Sequence, residues 1–259
     1  MTTQVEYNLR EMLAANGSSV LEDKKTVFVG TGLPIIAGML AQKTHAPNLL
    51  LVFEAGGVGP YLRELPISVG DSRTFNKAVS ASSMHDVMSN LQAGYTDFGF
   101  LGAAQMDMYG NINTTVIGDH DLPKTRLPGS GGANDIGSLA HKLVIIVGNQ
   151  SKRTFVSKLD FLTTPGYLDG PGAREKAGLP RNTGPYRVIT QLGVYGFDDT
   201  TKKLKLISLH PDVTVEEVKD NSGFDIIIPD NIDVSYVPTS EDLRILREEI
   251  DPAGMVLGK

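Results

Sequence analysis

Glu54 is the acid whose surroundings point to chemistry. It closes an apolar run, 49–53 (LLLVF), and the small residues Ala55, Gly56 and Gly57 follow at once. A run that is apolar on consecutive positions reads as a strand buried on both faces. In open α/β sheets ligands sit outside the carboxyl ends of the strands, so a carboxylate there faces the expected crevice. The glycines are read as room for a ligand to approach, and the partly apolar setting as one that sharpens a nucleophile. The same pattern also suits a structural acid that caps the following turn or pairs with Arg63.

The segment 129–134 (GSGGAN) is the second candidate. Successive small residues let backbone N–H groups converge into an anion nest, or an oxyanion hole for a thioester or acyl intermediate. A turn that needs positive φ at one or two positions has the same composition. It is no dinucleotide fingerprint, because neither Gly30-x-Gly32 nor Gly129-x-Gly131 has a glycine three residues further on. The triplet Asp119-His120-Asp121 offers metal-ligand types, but adjacent loop residues seldom point at one ion. The five scattered histidines (His45, His85, His120, His141, His210) are expected to be surface or hydrogen-bonded residues. No Gly-x-Ser-x-Gly elbow, Walker A loop or His-Glu-x-x-His helix occurs.

Composition removes whole classes. No cysteine among 259 residues excludes disulfides, thiolate zinc sites, iron–sulfur clusters and thiol nucleophiles. A net charge of −6, from 24 basic and 30 acidic residues, argues against nucleic acid as a partner. No apolar stretch approaches the ~18 residues that a membrane span needs. The opening MTTQVEYNLREML lacks the basic and apolar regions of a signal peptide, so a soluble cytoplasmic protein is expected, and the sequons at Asn16 and Asn113 are chance matches.

Elements that position these groups alternate between strand-like and helical patterns, the signature of an α/β protein. Val5, Leu9, Met12 and Leu13 predict a first amphipathic helix. A strand is predicted at 26–29 (TVFV), broken by Gly30-Thr31-Gly32. Pro34 then opens a helix that buries Ile35, Ile36, Met39 and Leu40. Residues 83–91 read as a helix with Met84, Val87, Met88 and Leu91 inward, and 97–101, 143–147, 186–191 and 226–228 as further strands. Thr214 and Glu217 form a capping box, with 221–223 (NSG) as the stop, and a helix over 240–250 buries Leu243, Leu246 and Ile250. Residues 105–136, rich in Gly, Asn, Asp and Pro, read as a long irregular functional loop. Another glycine- and proline-rich stretch follows at 165–185. With no repeat, composition break or linker, one domain over 1–259 is expected.

Several of these segments together resemble the β subunits of glutaconate CoA-transferases, in the class I CoA-transferase family. The likeness is carried by 29–34 (VGTGLP), 45–48 (HAPN), 53–56 (FEAG), 68–71 (SVGD), 102–107 (GAAQMD) and 109–113 (YGNIN). It continues through 117–119 (IGD), 123–126 (PKTR), 129–134 (GSGGAN), 164–172 (TPGYLDGPG) and 246–252 (LREEIDP). Residues 55–65 match only in small-residue character.

The resemblance implies a CoA-transferase-like α/β fold, an open, mostly parallel sheet with helices on both faces. It implies that Glu54 is the nucleophile and that Gly131, Gly132 and Ala133 form the oxyanion and CoA-binding loop. A coenzyme A thioester is the implied co-substrate, with no tightly bound cofactor and no metal, and an α subunit is the implied partner. Related decarboxylases and ring-opening hydrolases on this fold can lack the glutamate, so its presence favours CoA transfer. A non-catalytic binding module has no use for both features.

Overall fold

The computed structural model describes residues 6–258. The chain forms two compact units, one made of residues through Phe100 together with those from Tyr236 on, the other of Leu101–Ser235.

In the first unit α1 (Leu9–Ser19) starts at a capping box, where the Asn8 side chain accepts from the Glu11 N–H at 3.0 Å and the Glu11 carboxylate accepts from the Asn8 N–H at 2.8 Å. Of the predicted stripe, Met12 and Leu13 are buried, Leu9 is exposed, and Val5 lies outside the described residues. Strand β1 (Thr26–Phe28) is followed by α2 (Leu33–Lys43), which carries Pro34 in its first turn and buries Ile35, Ile36, Met39 and Leu40 as expected. Then come β2 (Leu50–Val52), β3 (Gly57–Val58), β4 (Ser80–Ala81), α3 (Met84–Gln92) and β5 (Phe98–Gly102). Strand β1 lies between β5 and β2 and runs parallel to both, whereas β2, β3 and β4 continue antiparallel. Helix α3 buries Val87 and Leu91, but Met84 is 54% exposed. That corrects the expected inward stripe, because Met84 is the first helical residue and the packed face begins a turn later.

The second unit turns the expected irregular loop into structure. Strands β6 (Gln105–Met106) and β7 (Ile112–Asn113) form one small hairpin, and β8 (Val116–Gly118) and β9 (Pro123–Arg126) another. Their order comes from buried side chains rather than periodicity. The Asn113 amide donates to Gln105 Oε1 and to the Val116 carbonyl, both at 2.7 Å. Next come α4 (Ala133–Leu139), β10 (Lys142–Val147), α5 (Ala173–Lys176), β11 (Pro185–Thr190), β12 (Gly193–Phe197), β13 (Leu204–Leu209), α6 (Val215–Asp220) and β14 (Asp233–Val234). Strands β10 through β14 are neighbours in that order, parallel at β10–β11 and β13–β14 and antiparallel between. Thr214 and Glu217 make the expected capping box. The expected strand at 226–228 is reduced to one bridge, between Lys205 and Ile227. Strands β12 and β13 were not expected, although Leu204, Leu206 and Ser208 alternate inward. The closing helix α7 (Ser240–Arg244), back in the first unit, widens into a π-helical segment at Ile245–Ile250 and buries Leu243, Leu246 and Ile250.

His210, at the end of β13, is buried in the second unit. Its Nε2–H donates to the Thr190 carbonyl at 2.8 Å, and Nδ1 is hydrogen-bonded to the Ser235 hydroxyl. The carbonyl can only accept, which fixes a proton on Nε2, and burial disfavours adding the second proton and holds the ring's pKa below the usual histidine value. The unfolded chain therefore binds more protons between the folded pKa and the unfolded value near 6.5, and stability falls as pH drops through that window. Urea midpoints between pH 7.5 and 5.5 are expected to show a loss of up to about 1.4 kcal/mol per pH unit from this group. His210→Gln should flatten that dependence; equal slopes in both proteins would sink the assignment.

Candidate active site

Glu54 sits in a turn at the end of β2, in the first unit. The Gly56 N–H donates to the Phe53 carbonyl at 2.9 Å, and the Phe53 N–H donates to the Gly57 carbonyl at 2.9 Å. With β2 and β3 antiparallel on either side, this is a three-residue hairpin loop of Glu54, Ala55 and Gly56. Gly56 has φ +116°, as the third position of such a loop demands. The flanking Phe53 is fully buried, while Glu54 is half-buried.

Structure revises the expected use of the glycines. A Cβ on Gly56 would stand 2.1 Å from the Ser82 carbonyl oxygen, and one on Gly57 2.0 Å from that of Thr74. The space beside the turn is filled by the chain's own backbone, so these glycines fix the turn rather than open it to a ligand. Neither structural role open to Glu54 is realised. Among the described residues its carboxylate makes no hydrogen bond or ion pair, and Arg63 instead lies over the Tyr61 ring, 5.6 Å from its centroid.

The glycine loop belongs to the second unit. It follows β9 and runs into α4, tied back where the Leu127 and Gly129 N–H groups donate to the Thr115 and Thr114 carbonyls at 2.9 and 2.8 Å. Gly129 and Gly131 have φ of +92° and +47°, whereas Gly132 has φ −78°. A Cβ on Gly129 or Gly131 would meet nothing within 4 Å, so this loop, unlike the Glu54 turn, borders open space. Its amides divide into two sets. The Ala133 N–H donates to the Ser130 carbonyl at 2.8 Å and the Asn134 N–H to Ser130 Oγ at 3.1 Å. Among the described residues the Gly131 and Gly132 N–H groups have no acceptor, which leaves two adjacent donors free for an anion.

The Asp119-His120-Asp121 triplet forms the tip of the β8–β9 hairpin. Asp119 Oδ1 accepts from the N–H groups of Asp121 and Leu122 at 2.8 and 3.2 Å, and His120 stacks on Phe161. Among the described residues no three His, Cys, Asp or Glu side chains gather as a metal site would require. Nor is any described helix long and apolar enough to cross a membrane. Sequence reasoning did not single out Asn111 and Arg174, which bind backbone of the 165–168 segment. Asn111 lies in the 109–113 segment that carries part of the family likeness, whereas Arg174 lies outside every such segment.

An unpartnered strand-end carboxylate and two free loop amides are each groups of the kinds that acyl transfer uses. Residues 10–221 match the family described as Coenzyme A transferase, and the chain belongs to that family. It is 35% identical to the B subunit of glutaconate CoA-transferase of Acidaminococcus fermentans over 257 residues, covering 97% of this chain and 96% of that one. It is 40% identical to the B subunit of 3-oxoadipate CoA-transferase of Pseudomonas knackmussii over 242 residues, with 93% and 92% covered. The crystal structure of glutaconate coenzyme A-transferase from Acidaminococcus fermentans superposes with a TM-score of 0.92 at 35% identity, over 98% of each chain. The CoA-transferase-like α/β fold expected from the sequence is the fold observed.

Gly56→Ala tests the description of the turn. The substitution forces a Cβ into the Ser82 carbonyl at a positive φ, and should destabilise the protein by about 2 kcal/mol or more. Gly129→Ala meets no neighbour and should cost only the backbone term, about 1 kcal/mol. Equal urea midpoints for the two variants would contradict the close packing at Gly56.

Proposed function

We propose that this chain is the catalytic β subunit of a two-component class I CoA-transferase. It moves CoA between an acyl-CoA and a short carboxylic acid, glutaconate or a similar dicarboxylate, by a ping-pong route through a thioester on Glu54. The observation that carries this reading is the Glu54 carboxylate, held at a strand end on a hydrogen-bonded turn with no partner among the described residues to occupy it.

The Glu54 carboxylate attacks the thioester carbonyl of the acyl-CoA, expelling CoA thiolate and leaving an acyl-glutamyl anhydride. The thiolate then adds to the glutamyl carbonyl and releases the first carboxylate, so the enzyme holds CoA as a glutamyl thioester. The same steps run in reverse onto the acceptor acid. One thioester replaces another, so no external energy source is needed. The anhydride is the high point, and binding of the remote CoA moiety offsets its formation. Each tetrahedral intermediate places negative charge on oxygen. The Gly131 and Gly132 amides are the donors assigned to it, with Ala133 as the loop's flank, since one lost oxyanion donor typically costs a factor of about 100–1,000 in turnover. Water must be excluded, because both covalent intermediates hydrolyse.

Both relatives are named as one subunit of a CoA-transferase, which supports assembly with an α subunit. In this reading residues 1–259 act as one β-subunit domain in a cytoplasmic enzyme. Purified alone, the chain should then show no CoA transfer. Robust activity without a partner would overturn the two-component assignment.

Loading the reconstituted enzyme with an acyl-CoA should add the mass of CoA minus water to this chain and leave its partner unmodified. Peptide mapping should find the adduct on Glu54. Borohydride should inactivate the enzyme only after acyl-CoA is added, by reducing the thioester to an alcohol. Glu54→Gln, nearly isosteric, should fold normally and lose turnover, because a neutral amide is a poor nucleophile. An adduct elsewhere would move the nucleophile. Acyl-CoA consumption with no adduct at all would instead place the chain with the decarboxylases or hydrolases of this fold.

A further inference from the structure

Arg174 is a buried charge that the proposed acyl-transfer steps do not use. The side chain is 3% exposed, and no carboxylate pairs with it among the described residues. Both terminal nitrogens bond to uncharged oxygens. Nη1 donates to the carbonyls of Pro165 (3.3 Å) and Gly166 (2.8 Å), and Nη2 to those of Gly137 (3.3 Å) and Ser138 (2.9 Å) and to Thr183 Oγ1 (2.8 Å). Nε has no partner and faces Gly184, where a Cβ would approach it to 3.1 Å. Burial without a counter-ion pulls its pKa down, yet a guanidinium keeps its proton.

The acceptors explain where this charge acts. Gly137 and Ser138 lie in the last turn of α4, whose carbonyls have no intrahelical partner and favour a cation. Pro165 and Gly166 lie on the segment against which α4 packs. A Cβ on Gly137 would stand 2.2 Å from Thr164 Cγ2, so nothing separates helix and segment. At the opposite end of α4, Asn134 Nδ2 donates to the Thr163 carbonyl at 2.9 Å. Helix α4 has seven residues, too short to hold itself, since isolated helices below about 12–15 residues are marginal in water. It begins where the loop bearing the free Gly131 and Gly132 amides ends.

We propose that Arg174 is a positioning residue: its two-armed grip joins the end of α4 to the 165–166 carbonyls, and so holds the Gly131 and Gly132 amides in the register that acyl transfer requires. This rests on the reading of that loop as the oxyanion donor. A guanidinium suits the task because its planar fork addresses two pairs of carbonyls at once, which a single ammonium cannot.

The test is single-turnover thioester formation on the reconstituted two-subunit enzyme, with glutaconyl-CoA or 3-oxoadipyl-CoA, whichever the wild type turns over faster. Quenched samples weighed intact give an amplitude, the fraction of competent sites, and a rate constant that does not depend on that fraction. Arg174→Lys should keep full amplitude and an unchanged KM for the acyl-CoA, while its rate constant drops on the order of a hundredfold, the scale of an ångström-sized misplacement. A wild-type rate constant, with full or reduced amplitude, would make Arg174 a merely structural residue and overturn the proposal. If Arg174→Lys does not fold, Thr183→Val decides, since it removes the hydroxyl that accepts from Arg174 Nη2 and donates to the Ser138 carbonyl at the end of α4; a wild-type rate constant there overturns the proposal equally. Gly132→Pro separates the two levels of inference, because the ring accepts φ −78° and removes one assigned N–H. Slow Gly132→Pro with fast Arg174→Lys defeats only the positioning role, whereas fast Gly132→Pro defeats the oxyanion reading itself.

Discussion

Backbone running against backbone is the constraint on which the Glu54 turn depends. The Ser82 and Thr74 carbonyls occupy the positions where side chains of residues 56 and 57 would begin. The Gly56 N–H closes the hairpin on Phe53, and the Gly56 carbonyl accepts from the Ser82 N–H at 3.0 Å and from Ser82 Oγ at 2.9 Å. The turn is held from both sides, and Glu54 is the polar side chain it presents. In the proposed reading, a turn held this way fixes where the nucleophile's side chain leaves the backbone, which is the advantage of placing a reacting group on a rigid element.

The second unit reaches the same end by other means. Its glycine loop borders open space, so contacts in front cannot fix it. The 165–168 segment, against which α4 packs, is held by side chains that bond to main chain. Asn111 accepts from the N–H groups of Gly166 and Leu168 and donates to the Leu168 carbonyl, and Arg174 adds the Pro165 and Gly166 carbonyls. Buried polar groups of this kind stabilise only when their partners are in place, and a half-satisfied set would be worse than an apolar core. Residues 163–166 are in turn joined to α4, through the Asn134 side chain at its start and the Arg174 guanidinium at its end.

Glycine thus does opposite work in the two units. At Gly56 it admits a neighbouring carbonyl and fixes a positive φ. At Gly131 a positive φ leaves two amides pointing away from protein partners. Nothing in either tetrapeptide separates these uses; the difference lies in which strand or helix passes nearby.

The sequence by itself determined the α/β class, the family and the local elements whose signals are short-range. The capping box at Thr214 and Glu217, Pro34 at the start of α2 and the apolar run of β2 each depend on residues within a few positions, so they could be read directly. Glu54 at a strand end followed from the same local pattern. Tertiary structure alone decided what long-range packing controls. It ordered residues 105–136 into two hairpins through Asn113, Gln105 and their buried partners, which no periodicity encodes. It left Met84 outside and filled the space beside Gly56 and Gly57 with carbonyls 26 and 17 positions distant in the sequence. It also brought Arg174 to the end of a helix 36 residues earlier. Local chemistry writes itself into adjacent letters. Contacts between distant segments exist only once the backbone has closed on itself.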